Sequence, residues 1–465
     1  MRAQALEQSA NGGLAHLVQS APHRLAESDK LRQALAKSLE HAFTRTQFYG
    51  RLFRKHLRSK PIDGDSVAEI FFDLPFTSKE DVVRTYPYGF LAVDRKHIAA
   101  YFESSGTTGN TVHSTKGASF FTQGDISKDV PRRFSPDLGI NESDVVLNAL
   151  PFALTSSGLG FQQATLAAGA CGVTVDSGSI LSSHLKHLDL MKELNVTIFV
   201  TSLPLLYSTL LLMEGRDPRT EFPSLRAIQL CGLATLRRGQ AKIAASFGVP
   251  VFNTYGLSEF GATTFGCRDG HMHIHDDAFF VEIMDPRTGE ASEDGKGGEI
   301  IVTTLTREAS PKIRYRTGDF GYIEKGTCSC GRSSPRLVVK GRIRDVALFA
   351  EGFRLPIDFE ECIYDFPETT GLYRLRYEAL ENSASKEQRT KATVTLDVAD
   401  PNAAGLHQRI EQRLKADVTS DVTAHLVRTG GAQAAILDQQ RFASVRTVKS
   451  AILDDGRPQE WLVTY

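Results

Sequence analysis

The stretch Tyr101-Phe102-Glu103-Ser104-Ser105-Gly106-Thr107-Thr108-Gly109-Asn110 concentrates residue types that hold phosphate. Gly106 and Gly109 let backbone amides turn toward an anion with no Cβ in the way, and the hydroxyls of Ser104, Ser105, Thr107 and Thr108 add donors. No Gly-Lys-Ser/Thr follows, so the loop is not that of the P-loop NTPases. Taken alone, it reads equally well as an ordinary polar loop. A second stretch, Asn253-Thr254-Tyr255-Gly256-Leu257-Ser258-Glu259, follows the β-prone Val251-Phe252, and open α/β sheets bind ligands at the carboxyl ends of their strands. Tyr255 offers a ring to stack on a purine, and Glu259 a carboxylate for a Mg ion bridging phosphates. By itself Glu259 reads more simply as a solvated acid at a helix start. In Arg314-Tyr315-Arg316-Thr317-Gly318-Asp319-Phe320, Asp319 follows a tight turn and can accept both hydroxyls of a ribose. Lys340-Gly341-Arg342-Ile343-Arg344-Asp345 is a fourth charged turn.

The four segments, in this order, resemble the core motifs of the acyl-adenylate-forming superfamily, from about residue 70 to the C-terminus. Within it the chain is most similar to the phenylacetate-CoA ligase branch. That likeness rests on Leu74-Pro75-Phe76-Thr77-Ser78-Lys79-Glu80-Asp81, on Thr-Leu-Thr-Arg-Glu-Ala at 304–309, and on Cys328-Ser329-Cys330-Gly331-Arg332. The resemblance implies ATP-dependent activation of a carboxylic acid, then transfer of the acyl group to the thiol of CoA. It assigns Ser104, Ser105, Gly106, Thr107, Thr108 and Gly109 to the β- and γ-phosphates, Tyr255 with Gly256 and Ser258 to the adenine side, and Gly232 to the strand end beside adenine. It also assigns Glu259 to Mg, Asp319 to the ribose, Arg342 to ribose or phosphate, and Arg344 to the hinge of a mobile C-terminal domain.

The family's adenylation lysine near the C-terminus has its candidate in Lys449, although Val448 stands where the family keeps a glycine. The segment Ala149 to Phe161 resembles the one that lines the acyl pocket. Phe152, Ser157, Gly158 and Gly160, with Leu233, would leave a flat, mostly apolar slot suited to an aryl or arylacetic acid. Cys267, His271, His273 and His275 lie ahead of Cys328-x-Cys330, and two thiols with a third thiol and an imidazole complete a closed tetrahedral zinc site. Some relatives in this branch have such a site, for which Cys267, His273, Cys328 and Cys330 are the best matching set here. The plainer reading is a buried Cys267 and surface histidines. Cys171, Cys231 and Cys362 read as core.

These residues need elements to position them. Apolar side chains at helical spacing (Leu31, Leu35, Leu39, Phe43, then Phe48 and Leu52) predict one or two surface helices over 29–58. From Val145 onward, β-rich pieces (145–147, 173–175, 197–200, 226–230, 251–252) alternate with helix-like stretches at 181–194 and 235–247. This pattern predicts βαβ units around a mainly parallel sheet. After Asp277, strands at 279–284 and 299–305 come without helices between them, as in an antiparallel subdomain. Beyond Arg344 a smaller α+β module is expected, with a helix from about 356, a strand at 392–398, a helix at 404–416 and a final strand near 425–427. The expected fold is thus α/β, and the resemblance implies its division into a large N-terminal domain (1–342), a hinge (343–345) and a small mobile C-terminal domain (346–465).

With 465 residues, 54 basic and 55 acidic, the chain can bury a large core and carries a formal charge of -1. No charge excess points to nucleic acid or an anionic membrane as partner. No apolar run approaches a membrane span, and Met1 to Ser20 lacks a signal-peptide core, so a cytoplasmic protein is expected. The expected ligands are a small carboxylic acid, ATP, Mg and CoA, with structural Zn. Family analogy favours a homodimer. A carrier-protein thiol, a protein cysteine or an amine is the alternative acyl acceptor, and a non-catalytic nucleotide-binding protein on the same fold is a third reading, disfavoured by the intact motifs.

Overall fold

The computed structural model describes residues 21–57, 61–103, 117–177, 182–213, 216–292, 296–324, 326–380, 389–428 and 453–455. At its centre five parallel strands stand in the order Cys171–Thr174, Val145–Asn148, Ile198–Thr201, Ala227–Cys231, Val251–Thr254. Consecutive residues on these strands are buried on opposite faces. Leu147, Phe199 and Ile228 pack against the helices His184–Glu193, Leu203–Leu212 and Arg237–Phe247, while Val146, Ile198 and Ala227 pack with Phe134, Phe161 and Ala164. A sheet covered on both faces reads as short, continuously apolar runs, which is why these strands are visible in the sequence. Cys171 is a correction: it opens the edge strand and is exposed, whereas Cys231 and Cys362 are buried.

Six antiparallel strands form the second sheet, in the order Thr264–Gly266, Met272–Ile274, Arg336–Arg342, Tyr315–Glu324, Gly298–Thr304, Phe279–Met284. The helices Asp29–Arg45 and Gln47–Leu57 lay Leu35, Leu39, Tyr49 and Phe53 into the same core as Phe280, Ile300, Tyr315 and Val339. The first of these helices starts at Ser28, whose hydroxyl accepts the amide of Leu31 at 3.2 Å, a cap that satisfies one of the free donors of the first turn.

From Ala347 onward the buried residues form a core of their own, in which the helices Pro356–Tyr364 and Leu406–Asp417 pack on a four-stranded sheet. Its order is Val422–Arg428, Arg389–Val398, Thr369–Leu380, Leu453–Asp455. The strand Thr369–Leu380 is absent from the sequence reading, and Leu453–Asp455 displaces the strand near 425–427 from its expected place as the last one.

Candidate functional site

The parallel sheet ends at Thr254, and the chain turns at once into a ribbon of two short strands, Gly256–Leu257 and Gly261–Ala262. The ribbon is so tight that a Cβ on Gly256 would lie 2.3 Å from the carbonyl oxygen of Gly261, so only glycine fits. Tyr255 is pinned on both sides: its amide donates to Thr264 Oγ1 at 2.9 Å, and its carbonyl accepts from the amides of Thr263 and Thr264. Its hydroxyl then reaches across to donate to Asp319 Oδ2 at 2.7 Å.

Asp319 faces Arg342 across the antiparallel pair of strands, and its Oδ1 lies 2.9 Å from Arg342 Nε. Arg342 also donates Nη1 to the carbonyl of Thr317 at 3.1 Å. Gly318, at φ 69°, lies within the continuous strand Tyr315–Glu324, at an irregularity in its pairing with Gly298–Thr304, so Asp319 is presented by a kinked strand and not by the tight turn its sequence suggests. Burial, followed by the Asp319 carboxylate, holds the Tyr255 phenol well above its ordinary pKa, so it remains a donor. The same carboxylate raises the pKa of Arg342. An ionised carboxylate has about four acceptor positions, so Asp319 retains capacity for a vicinal diol beside Tyr255 and Arg342.

Glu259 sits in the turn of the ribbon and is 4% exposed. It is not the solvated helix-start acid that its local sequence suggests. Tyr315, itself buried, donates its hydroxyl to Glu259 Oε1 at 3.2 Å. Two lysines share this electrostatic neighbourhood. Lys312 is fully buried, and burial pushes its pKa down to about 7, with Glu259 partly offsetting the fall. Lys79, at the first position of the helix Lys79–Arg84, is lowered by burial, raised by Glu259 and lowered again by Arg342 and Arg344. Lys312 is a neighbour of the candidate site that sequence reasoning missed, and Tyr315, like Lys79, entered it only as a member of a motif segment with no role of its own.

Three of the four motif segments, together with Leu74–Asp81, therefore converge. The phosphate loop Ser104 to Gly109 and Lys449 lie outside the described residues. Gly232 follows the strand Ala227–Cys231 at φ 98° with open space where a Cβ would be, and Leu233 packs against the core beneath the parallel sheet. Gly158 and Gly160 lie in the helix Ser156–Ala167. A Cβ on Gly158 would strike Phe152, and one on Gly160 would strike the guanidinium of Arg133. Ser157 Oγ is 3.1 Å from Thr155 Oγ1. Arg344 lies in the short turn Ile343–Asp345 and pairs with Asp345 at 3.5 Å.

A second cluster joins two hairpins of the antiparallel sheet. The ligand atoms of Cys267, His273, Cys328 and Cys330 all lie within 4.8 Å of one another. Cys267 Sγ and Cys328 Sγ are 3.8 Å apart, and Cys330 Sγ is 3.3 Å from His273 Nε2. A tetrahedron with Zn–S bonds of about 2.3 Å has S···S edges of about 3.8 Å, the separation of Cys267 and Cys328, so the donor set and its closeness fit a zinc ion. His273 Nδ1 faces the carbonyl of Ser334 at 2.9 Å, a partner that leaves Nε2 to face the thiols. The other two histidines point elsewhere: His271 Nδ1 to Glu324 at 2.7 Å, and His275 Nε2 to the carbonyl of Arg132 at 3.1 Å.

Comparison with known proteins shows what the chain is similar to. Residues 33–305 match the family model of the AMP-binding enzymes. Phenylacetate-coenzyme A ligase of Aromatoleum evansii is 28% identical over 455 residues, covering 94% of this chain and 97% of that one. Phenylacetate-coenzyme A ligase of Thermus thermophilus is 29% identical over 364 residues, covering 76% and 77%. Among solved structures, 2-hydroxyisobutyryl-CoA ligase in the postadenylation state superimposes with a TM-score of 0.77 at 18% identity, covering 96% of this chain and 94% of that one.

Proposed function

The chain belongs to the AMP-binding enzymes, and from that premise we propose that it is an AMP-forming ligase that joins a carboxylic acid, an aromatic one, to CoA by way of an acyl-adenylate. The observation that carries the reading is the convergence of Tyr255, Asp319 and Arg342 beside the buried carboxylate of Glu259. The relatives named phenylacetate-coenzyme A ligase support the aryl class of acid and CoA as acceptor.

In this reading Asp319 accepts the ribose hydroxyls, Tyr255 and Gly232 flank the adenine, and Arg342 meets the ribose or the α-phosphate. The Ser104–Gly109 loop holds the outer phosphates. Glu259 would hold Mg, which neutralises phosphate charge when bound. An oxygen of the acid's carboxylate attacks the α-phosphorus as the bond to pyrophosphate breaks. The thiol of CoA then attacks the carbonyl carbon and AMP leaves. Neither step needs a covalent enzyme intermediate, so the residues supply position and charge, with Lys449 as the cation for the first step. Residues 1–342 would form the large domain, 343–345 the hinge and 346–465 the small domain. Cys267, His273, Cys328 and Cys330 would hold a zinc ion with no open position, which fits a structural role.

The test is AMP formation from MgATP with benzoates, phenylacetates, cinnamates, anthranilates and medium-chain fatty acids, each with and without CoA. Turnover with an aryl or arylacetic acid that depends on CoA is expected. Activity confined to aliphatic acids would remove the aryl assignment, and turnover indifferent to CoA would remove CoA as acceptor.

A further inference from the structure

The contact between the C-terminal unit and the parallel-sheet region is built around two tyrosines. Tyr207, on the helix Leu203–Leu212, and Tyr364, at the end of Pro356–Tyr364, bring their hydroxyls to 2.7 Å. Two glycines make room for the pair. A Cβ on Gly239, in the helix Arg237–Phe247, would lie 2.8 Å from Tyr364 Cε2. One on Gly371, in the strand Thr369–Leu380, would lie 2.9 Å from the Tyr207 hydroxyl and 3.0 Å from Tyr364 Cε1. These glycines come from opposite sides of the junction, so the slot exists only when the two parts are seated together.

Around the pair the contacts are polar. Lys242 Nζ donates to the carbonyl of Phe366 at 2.9 Å and to Thr369 Oγ1 at 3.0 Å. Arg238 pairs with Asp365 at 2.9 Å, with its side chain 56% exposed, and an exposed pair of this kind contributes little. A neutral hydroxyl pair with polar neighbours is well suited to opening, because each group can be hydrated when the contact breaks. Burial keeps both phenols far above their ordinary pKa, so the pair stays protonated.

We propose that the Tyr207–Tyr364 hydroxyl pair is a latch that seats the C-terminal unit for the acyl-adenylate-forming step and opens before the thiol reacts. This rests on the function proposed above. The assignment to the first step follows from the arrangement in which the pair is closed: the chain superimposes with a TM-score of 0.77 on 2-hydroxyisobutyryl-CoA ligase in the postadenylation state, against 0.61 on the same ligase in the thioesterification state. Tyr207 and Tyr364 are therefore positioning residues that touch neither substrate nor the reacting atoms.

The test separates the half-reactions in the full-length protein. Acid-dependent ATP–pyrophosphate exchange reads the first, and CoA thioester formed from supplied synthetic acyl-adenylate reads the second. Tyr207→Phe removes one hydroxyl. Gly239→Ala improves local helix propensity while pushing Tyr364 out of its slot, and a thermal melt of that variant separates loss of the contact from loss of fold. Each is expected to lower exchange by about tenfold, the shift one hydrogen bond can impose on a two-state equilibrium, and to leave thioester formation within about twofold. The double variant is expected to be no worse than about the poorer single variant, because both break one contact. Small-angle scattering without ligands should show a larger radius of gyration for both single variants. Equal loss in both half-reactions, loss confined to the thioester step, or unchanged exchange would overturn the latch. If the wild-type protein shows no exchange with any acid, the proposed function fails instead, and scattering still decides whether the pair holds the two parts together.

Discussion

At the scale of single residues, Asp319 has the most to do. It holds the Tyr255 hydroxyl and the Arg342 guanidinium together, and in the proposed function it also takes the ribose. Asp319→Asn preserves shape but removes the charge that aligns all three. It is expected to lower kcat/KM for ATP by about 10- to 100-fold, corresponding to loss of a charge-assisted hydrogen bond, with KM for the acid little changed. Steady-state kinetics with each substrate varied separately checks this. Asp319, Tyr255, Arg342 and Glu259 were all legible in the sequence, because each lies in a segment with a recognisable pattern. Lys312 was not, and Tyr315 was legible only as a member of its segment, with nothing to say that its hydroxyl meets Glu259. A lysine with 0% exposure is contrary to every local expectation, and its burial follows from where Ser310–Tyr315 threads between Phe90 and Glu259, which only the tertiary structure reveals.

At the scale of elements, the Cys/His cluster ties the hairpin Thr264–Ile274 to the loop before Arg336. Cys328→Ser is expected to lower bound zinc from one per chain toward none and to lower Tm by about 5 °C or more, measured by elemental analysis and a thermal melt. A metal-free wild type with an unchanged Tm in the variant would refute a structural zinc. The sequence carried the ligand types, and the family resemblance singled out His273 among the three histidines, but residue spacing alone gave no reason for that choice. The pairing of Phe265 with His273 across the hairpin decides it, together with the partners that draw His271 and His275 away.

The helix Pro356–Tyr364 brings a second prediction at this scale. Glu360 is 4% exposed and accepts from the Tyr373 hydroxyl at 3.2 Å, yet burial pushes its pKa from 4.5 up to about 7. The folded state binds this proton more tightly than the unfolded chain. Its stabilising contribution is therefore complete below pH 4.5 and is lost as pH rises through 7, by roughly 3 kcal/mol in all. Glu360→Gln should flatten that dependence and melt at a higher temperature than wild type at pH 8, with little difference at pH 4.5. Parallel melting curves for the two proteins would refute the assignment. The strand Thr369–Leu380, against which this helix packs, escaped the sequence reading because Arg374, Arg376 and Glu378 punctuate it. Those charges sit on the alternating outward positions of a half-buried strand, and Tyr373, Leu375 and Tyr377 are its inward face.

At the scale of the whole molecule, the described residues build three large cores: helices against the antiparallel sheet, the parallel sheet with both faces covered, and the unit beyond Ala347. The candidate site residues stand where these cores meet. Tyr255 leaves the parallel sheet, Asp319 and Arg342 lie on the antiparallel one, and Arg344 leads into the third. Alternation of strand and helix made the parallel sheet readable, and the turn-rich runs made the antiparallel one readable. How the third core docks was not readable, because the slot for Tyr207 and Tyr364 is made by two glycines 132 positions apart in sequence, Gly239 and Gly371.

The central claim is that the acid is activated by adenylation, and the fate of its oxygen tests that most directly. The acid is labelled with 18O in both carboxylate positions and turned over with MgATP and CoA, and the nucleotide product is weighed by mass spectrometry. Attack of the carboxylate on the α-phosphorus predicts one 18O in each AMP formed. Label appearing in inorganic phosphate alongside ADP, or AMP carrying none, would contradict the account.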